Sequence, residues 1–479
     1  MVFLEVVKMI YSQVYAKYGK GLVKAGLIGS GQYSTALLGQ SKYIPMLEIP
    51  VIAERSAEAA KKAFKRAGIS EEDVVLCDSR LAASQALDKG KYVWVEDPML
   101  MMDLPIDVII EGTGEGETGA RFALAAIEHG KHLAMLNKEA DAIVGPYLKY
   151  LADRAGVVYT PVTGDQHGLL IDFVNWIRSL GLDLICASKS PDAELGLDRE
   201  NMRVTQLSES LYPVEEKWRA ITKDELEVLT KMPEKPADKL KTIAAREEIF
   251  RKIRVVRAQE VCETQIAANA LGLKMDSDML LHPILRATEL PCVLCPEKDG
   301  GIFHDTERCE MISILRDVDT PNMGGGLFAV VTSGNEYARY ILNNKGLHHN
   351  PNGMASFLPR PYHLCGVETS TTILSAGSLG ISSLHGSYLP IFDMYSKTLR
   401  PMKAGETINS DDDLNMKALL MPAVAVKDNA PLHSYAYHYM KLKRDIPAGT
   451  IITYDMVDIP ADSVLLKLRR ELDKHFGLK

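Results

Sequence analysis

VKAGLIGSGQYSTA, residues 23–36, sets an apolar run from Val23 to Ile28 against Gly26-x-x-Gly29-x-Gly31, with a helix predicted from about Ser34. Glycines let a backbone turn tightly and approach a pyrophosphate, and the N-terminus of the following helix offers unpaired N–H groups to it. Three glycines in a turn are common, so the motif counts only within a strand–turn–helix context. The residues downstream supply that context. Glu48–Ala53 reads as a second strand ending in Glu54-Arg55-Ser56, and a helix follows to Ala67. Ile106–Ile110 is a continuous apolar run, as expected of a strand covered on both faces, and it delivers Glu111-Gly112-Thr113-Gly114. A helix through Ala120–Ile127, a strand at His132–Leu136 ending in Asn137-Lys138, a helix at Tyr147–Arg154 and a strand at Val157–Tyr159 complete the alternation. Strands alternating with helices predict an α/β fold with a Rossmann-type, doubly wound parallel sheet over residues 20–160. Such sheets bind ligands at the carboxyl ends of their strands. The candidate cofactor residues are therefore Gly26, Gly29, Ser30, Gly31, Gln32, Tyr33, Glu54, Arg55, Gly112, Thr113, Gly114, Asn137 and Lys138. Glu54 suits the ribose hydroxyls of NAD, whereas Arg55 and Ser56 suit the 2′-phosphate of NADP. NADP is expected ahead of NAD.

Composition sets outer bounds. The chain has 479 residues, a formal net charge of −8 and an ordinary share of apolar and charged residues. That length accommodates two or three domains. The negative balance argues against nucleic acid or an anionic membrane as partner, and no apolar run is long enough to span a bilayer. Residues 1–19 carry helical apolar spacing at Phe3, Val6, Val7, Ile10 and Val14, interrupted by Glu5 and Lys8, which does not suit a signal peptide. Seven scattered cysteines point to a reducing compartment, by default the cytoplasm.

Beyond Tyr159 the texture changes. Thr163-Gly164-Asp165-Gln166-His167-Gly168 is a dense polar turn before an apolar helix, Leu169–Leu180. A strand at Leu184–Ala187 ends in Ser188-Lys189. Residues 212–255 are highly charged and read as exposed helices with a Pro-containing connection, a lid or a packing insertion. Glu260 and Glu263 would share a helix face, either as a functional pair or as surface acids. Cys292-x-x-Cys295 with His304 and Cys309 has tolerable zinc spacing, but LPCVLCP also reads as a buried strand with cysteine as a small apolar residue. NMGGGLFAVV, residues 322–331, is a glycine turn feeding a strand with no helix after it, so phosphate binding is not expected there. Near the C-terminus, Thr398–Ile408 and Leu442–Ile452 repeat one another, each followed by acidic residues, Asp411-Asp412 and Asp455. Two copies predict a compact β unit with pseudo-twofold symmetry.

The segment IIEGTGEGETGARFALAAIEHGKHLAMLNKEADA, with the glycine motif before it, resembles homoserine dehydrogenases. TGDQHG, ANALGL, LLHP, RPYHLCGVET and KLKRDIPAGTIITYDMV are similar to a narrower group, homoserine dehydrogenase-like proteins with a C-terminal SAF domain. That group includes 1-deoxy-D-xylulose 5-phosphate reductoisomerase-like enzymes and D-apionate oxidoisomerases. The resemblance implies a substrate-binding and dimerisation domain of α+β type over 161–388, with part of 360–385 returning to the first domain. It further implies a small β-rich SAF-like domain over 389–479 and a homodimer or higher homo-oligomer. Lys138 matches the lysine of the dehydrogenase Asn-Lys motif. The Ala-Glu-Ala-Asp-Pro segment with its Asp and Lys that marks homoserine dehydrogenases is absent, so a polyhydroxylated carbonyl compound, a sugar phosphate or sugar acid, is expected rather than homoserine.

Hydride transfer needs the substrate carbonyl held against the cofactor and one proton supplied or removed. Lys138, Lys189 and Asp165 are the candidate catalytic residues, one lysine polarising the substrate oxygen and the other fixing an anionic group. Gln166, His167, Glu263, His282 and His363 are candidate substrate contacts. An isomerisation step admits a divalent metal, with Asp165 and Glu263 as its candidate ligands. Homoserine dehydrogenase proper and a non-catalytic dinucleotide-binding sensor are the alternative readings.

Overall fold

A computed structural model describes residues 10–479 except 208–213, 215, 255, 385, 387, 409–414 and 438. Helix α1 (Ile10–Tyr18) precedes β1 (Val23–Ile28), α2 (Gln32–Ser41), β2 (Leu47–Ala53), α3 (Ala57–Arg66), β3 (Val74–Leu76), α4 (Arg80–Asp88) and β4 (Tyr92–Val95). The short α5 (Met99–Met102), then β5 (Val108–Glu111), α6 (Gly116–Glu128), β6 (His132–Met135), α7 (Lys138–Ala155) and β7 (Tyr159–Pro161) complete the first layer. The seven strands run parallel in the order β3-β4-β2-β1-β5-β6-β7. The chain leaves β1 towards one edge and later leaves β5 towards the other, so the crevice between their carboxyl ends is the switch point where such sheets take ligands. β3, of three residues, and β4, the four-residue run YVWV, were not expected from the sequence.

Helix α7 starts at Lys138, well before the expected Tyr147, and runs through Pro146. Proline removes the N–H that would bond the Ala142 carbonyl. Gln265 Nε2, from a distant helix, donates to that carbonyl at 2.7 Å, so the helix carries the proline without leaving the carbonyl bare.

α8 (Gln166–Ser179) leads into a second body with two sheets. β8 (Asp183–Lys189) lies in a four-stranded sheet with β13 (Arg308–Met311), β15 (Leu327–Thr332) and β16 (Ser356–Arg360). The five-stranded sheet contains β9 (Leu195–Asp198), β10 (Arg203–Gln206), β11 (Trp218–Ala220), β12 (Ile284–Leu285) and β14 (Ser313–Asp317). Within the charged stretch, α9 (Lys223–Thr230) and α10 (Pro236–Phe250) pack rather than float. Arg246 is fully buried and donates to both carboxylate oxygens of Glu289 at 2.6 and 2.8 Å. α11 (Ala258–Leu271) is wedged between α7, α8 and β13, and every residue of it but Gln259 is buried. A helix buried on every side lies in a core, so Glu260 and Glu263 are not surface acids. LPCVLCP forms a short helix, Leu290–Val293, rather than a strand, with Cys295 buried. Among the described residues no group of three His, Cys, Asp or Glu could hold a metal ion, and no helix is long and apolar enough to cross a membrane.

Residues 370–379 come back to the first layer, where Ile373 and Leu374 pack with Val23, Leu27, Val108 and Ile110. The hairpin β17 (Phe392–Thr398) and β19 (Met416–Pro422) lies against α11 and leads to the repeat. Met402 and Ile446, equivalent in the two copies, exchange N–H···O bonds of 2.9 Å in both directions. Gly449 N donates to Thr398 O at 2.7 Å and Gly405 N to Leu442 O at 2.8 Å, again an equivalent pair. These reciprocal bonds are the local twofold of the repeat; its Asp411-Asp412 turn lies outside the described residues. The C-terminal helix Val464–Phe476 leaves this module and docks on α6 and α7.

Candidate active site

The crevice is built from two glycine turns that touch. Gly29 has φ +88°, and a Cβ there would stand 2.6 Å from the Gly112 carbonyl oxygen. Gly31 caps α2 with no side chain on its N–H groups, and a Cβ at Gly31 or Gly114 would meet nothing within 4 Å. An open, uncapped helix N-terminus fits an anion. Gly26 does not belong to this loop. It lies within β1, where a Cβ would strike Met101 Sδ at 2.4 Å, so its smallness serves packing. Glu54 accepts from Ser30 N at 3.1 Å and Ser30 Oγ at 2.8 Å, pinning the loop to the end of β2, while Arg55 and Gln32 are exposed. Tyr33 donates to Thr163 O at 2.8 Å and meets Thr369 Oγ1 at 2.5 Å, joining the loop to the Asp165 turn. Asn137 caps α7 through Ala140 N (3.0 Å) and donates to Thr113 Oγ1 and Glu115 O, each at 3.0 Å. Gly29→Ala is expected to cost about 1–3 kcal/mol through its left-handed φ and the Gly112 contact. Thermal melts with and without NADPH should show both the loss and a weaker cofactor-induced rise; an unchanged protein would refute the packing.

Beneath this rim Glu111 is fully buried, accepting from Thr113 N at 3.1 Å. Burial pushes its carboxyl up to about 7, against the bonds from Thr113 and Asn137. A folded pKa above the ordinary 4.5 means stability that is full at acid pH and lost as pH rises towards 7. Glu111→Gln should therefore gain on the wild type by on the order of 1–3 kcal/mol at pH 8 and by much less at pH 5. A pH-independent difference between their melts would contradict that titration.

Lys138, Glu263 and Lys189 form the centre. Lys138 Nζ, from the first residue of α7, donates to Glu263 Oε1 at 2.5 Å, and Lys189 Nζ, from the end of β8, donates to Glu263 Oε2. Asp165, the cap of α8, stands 3.9 Å from Lys138 Nζ. Burial opposes the charge on Glu263, yet Lys138 and Lys189 hold its carboxyl well below the usual range. Burial likewise opposes the Lys138 charge, and Asp165 and Glu263 override it, raising the ammonium well above its ordinary value. Both Glu263 oxygens are taken by ammonium groups, an arrangement that suits lysine–carboxylate chemistry rather than the metal ligation foreseen for Glu263 and Asp165. Lys189 lies under the rim rather than on it, at 1% exposure.

The other candidates divide. Gln166 is buried and spends its Nε2 on Ser190 O at 2.9 Å, and His363, half-buried, pairs its Nδ1 with Gly325 O at 2.8 Å. His167 is buried 3.8 Å from Asp165 Oδ2, with neither ring nitrogen hydrogen-bonded. His282, at φ +49°, donates its N–H to Glu310 Oε1 at 3.0 Å and accepts from Arg254 at its carbonyl at 2.7 Å. Burial, then Arg254 and Lys189, lower its imidazole well below the ordinary value, so it is neutral. Burial lifts Glu260 and Glu310 to about 7 each. Arg254 and Glu310 had gone unread; the charge inside the apolar run CEMISIL, residues 309–315, was the available signal for Glu310.

Residues 255–369 match the family described as the catalytic domain of oxidoreductase DRL. The matched span holds Glu260, Glu263, His282, Glu310 and His363, and covers less than half of the chain. It agrees with the oxidoreductase class expected from the sequence. No curated protein matches the chain. Among solved structures it is similar to a probable dehydrogenase from Thermotoga maritima (13% identity, 36% of this chain and 46% of that one, TM-score 0.27). It is also similar to levoglucosan dehydrogenase in complex with NADH and levoglucosan (18%, 36% and 44%, 0.26). A third is aldose-aldose oxidoreductase from Caulobacter crescentus (14%, 36% and 47%, 0.26). The chain spans less than half the length of each.

Proposed function

We propose that this chain is an NAD(P)-dependent oxidoreductase or reductoisomerase acting on a small polyhydroxylated carbonyl compound, a sugar phosphate or sugar acid. The observation that carries the reading is the Lys138–Glu263–Lys189 triad beside the Gly29–Gly112 crevice. The open N-terminus of α2 and the Gly31 and Gly114 positions suit a dinucleotide, which when bound supplies the hydride. Lys138 polarises the substrate oxygen and shares its proton. Glu263 orients Lys138, Lys189 keeps Glu263 ionised, and Asp165 stands as the second acid at the same ammonium. Arg55, exposed at the end of β2, favours NADP over NAD. The sequence resemblance extends this reading to a SAF-like C-terminal module, a homo-oligomer and a cytoplasmic setting.

The test is turnover of NADPH and NADH across tetronates, apionate, deoxyxylulose phosphate and homoserine. Oxidation or reduction with a sugar acid or sugar phosphate supports the reading. Silence with every compound refutes the substrate class, and activity with homoserine alone replaces it.

A further inference from the structure

A second concave site, lined by none of the triad residues, lies between the C-terminal repeat and the C-terminal helix. It is a cleft of about 520 Å³, the size of a small-molecule site rather than a peptide groove. Val457, Ile459 and Leu466 give its mainly polar lining an apolar patch beside Tyr454. It also carries Lys427, Lys467 and Arg470, whose side chains have no carboxylate or other hydrogen-bond partner among the described residues. Lys443 is the fourth cation and is paired with Asp458 at 3.1 Å. Asp428 and Asp462 face the same space, so cations outnumber carboxylates there, in a chain whose overall charge is −8.

The walls are tied in place. Val426 N donates to Asp473 Oδ2 on the helix at 2.7 Å, and Asp455 N donates to Asp428 O at 2.8 Å. Glu117 of α6 accepts from Ser463 Oγ and Val464 N, both at 2.6 Å, and so closes the start of the helix that forms one side. The N-terminus of that helix is thereby spent, and the anion-binding character comes from side chains alone. Unpaired cations beside an apolar patch suit an anion that carries an apolar group.

We infer that this cleft is a binding site for a small organic anion with an apolar body and a phosphate or carboxylate head, separate from the candidate active site. The head lies against Lys427, Lys467 and Arg470, and the body against Tyr454 and Leu466. This does not rest on the proposed redox activity.

Calorimetric titration of the full chain with phenyl phosphate, benzoate and inorganic pyrophosphate tests it. Phenyl phosphate should bind the wild type, and pyrophosphate, lacking the apolar body, more weakly. Benzoate, which keeps the body but halves the charge, should fall between. A Lys427→Ala/Lys467→Ala/Arg470→Ala variant, whose side chains are exposed, should keep the wild-type melting temperature and lose at least tenfold in affinity for phenyl phosphate. Absence of binding to the wild type, or equal binding to the variant, overturns the site. Equal affinity for phenyl phosphate and pyrophosphate overturns the apolar component. Because no step uses NADPH, failure here leaves the redox reading standing, and the reverse also holds.

Discussion

Glu263→Gln is expected to lose about 3–5 kcal/mol at neutral pH and all measurable turnover of the proposed substrates, because it removes the one anion between two ammonium groups. Glutamine can accept only one of the two bonds, and Lys138 and Lys189 then repel each other in a buried setting. The pH dependence identifies the cause. The Glu263 carboxyl is held below its ordinary value by the lysines, so its contribution is present above about pH 4.5 and is lost as pH falls through the folded value. The gap between wild-type and variant melts should accordingly be full at pH 7 and narrow on acidification. Adding Lys189→Met to Glu263→Gln removes the repulsion and should recover part of the stability without the turnover, a double-mutant signature of direct coupling. Equal stability of Glu263→Gln and wild type at pH 7 would remove the triad from the site.

The second large effect lies at Arg469. This buried guanidinium donates to Asp393 Oδ1 at 2.8 Å and Oδ2 at 2.6 Å, to Asp473 Oδ1 at 2.8 Å and to Val424 O at 2.9 Å. Burial opposes the Asp393 charge, yet Arg469 keeps its carboxyl below the usual range. Arg469→Leu strands that carboxylate between the hairpin and the C-terminal helix, at about 3–5 kcal/mol. The exposed Lys231–Glu227 pair supplies the contrast: Lys231→Ala should cost less than about 0.5 kcal/mol, as surface pairs do. Denaturant melts of the two variants side by side make the comparison. An Arg469→Leu protein as stable as Lys231→Ala would show the pair to be energetically idle.

The first layer was legible because most of its strands are apolar runs that lead into glycine-rich or polar turns. β1, β2, β5 and β6 all fall within a few residues of where the pattern puts them. β3 and β4 went unread, although β4 (YVWV) is an apolar run as long as β5 and β6. Gly26 was misassigned because sequence spacing cannot tell a glycine that admits a phosphate from one that admits Met101. The site was half legible. Asn137-Lys138 follows from a strand end, and Glu260 and Glu263 from helical spacing, but the bond between Lys189 and Glu263 joins residues whose separation carries no signal.

Gln265, which satisfies the Ala142 carbonyl left bare by Pro146, also donates to Phe392 O at 3.0 Å. Its Oε1 faces His433 Nε2 at 3.0 Å. Because His433 Nδ1 accepts from Tyr435 N, Nε2 carries the proton and is the donor to Gln265. A single amide thus closes hydrogen bonds from the first layer, the hairpin and the repeat module. A chimera that replaces the chain from about residue 389 takes from Gln265 its Phe392 and His433 partners, loosening the amide that covers the Ala142 carbonyl. Chimeras that swap the C-terminal part must therefore carry α7, α11 and the hairpin together, as one heritable block.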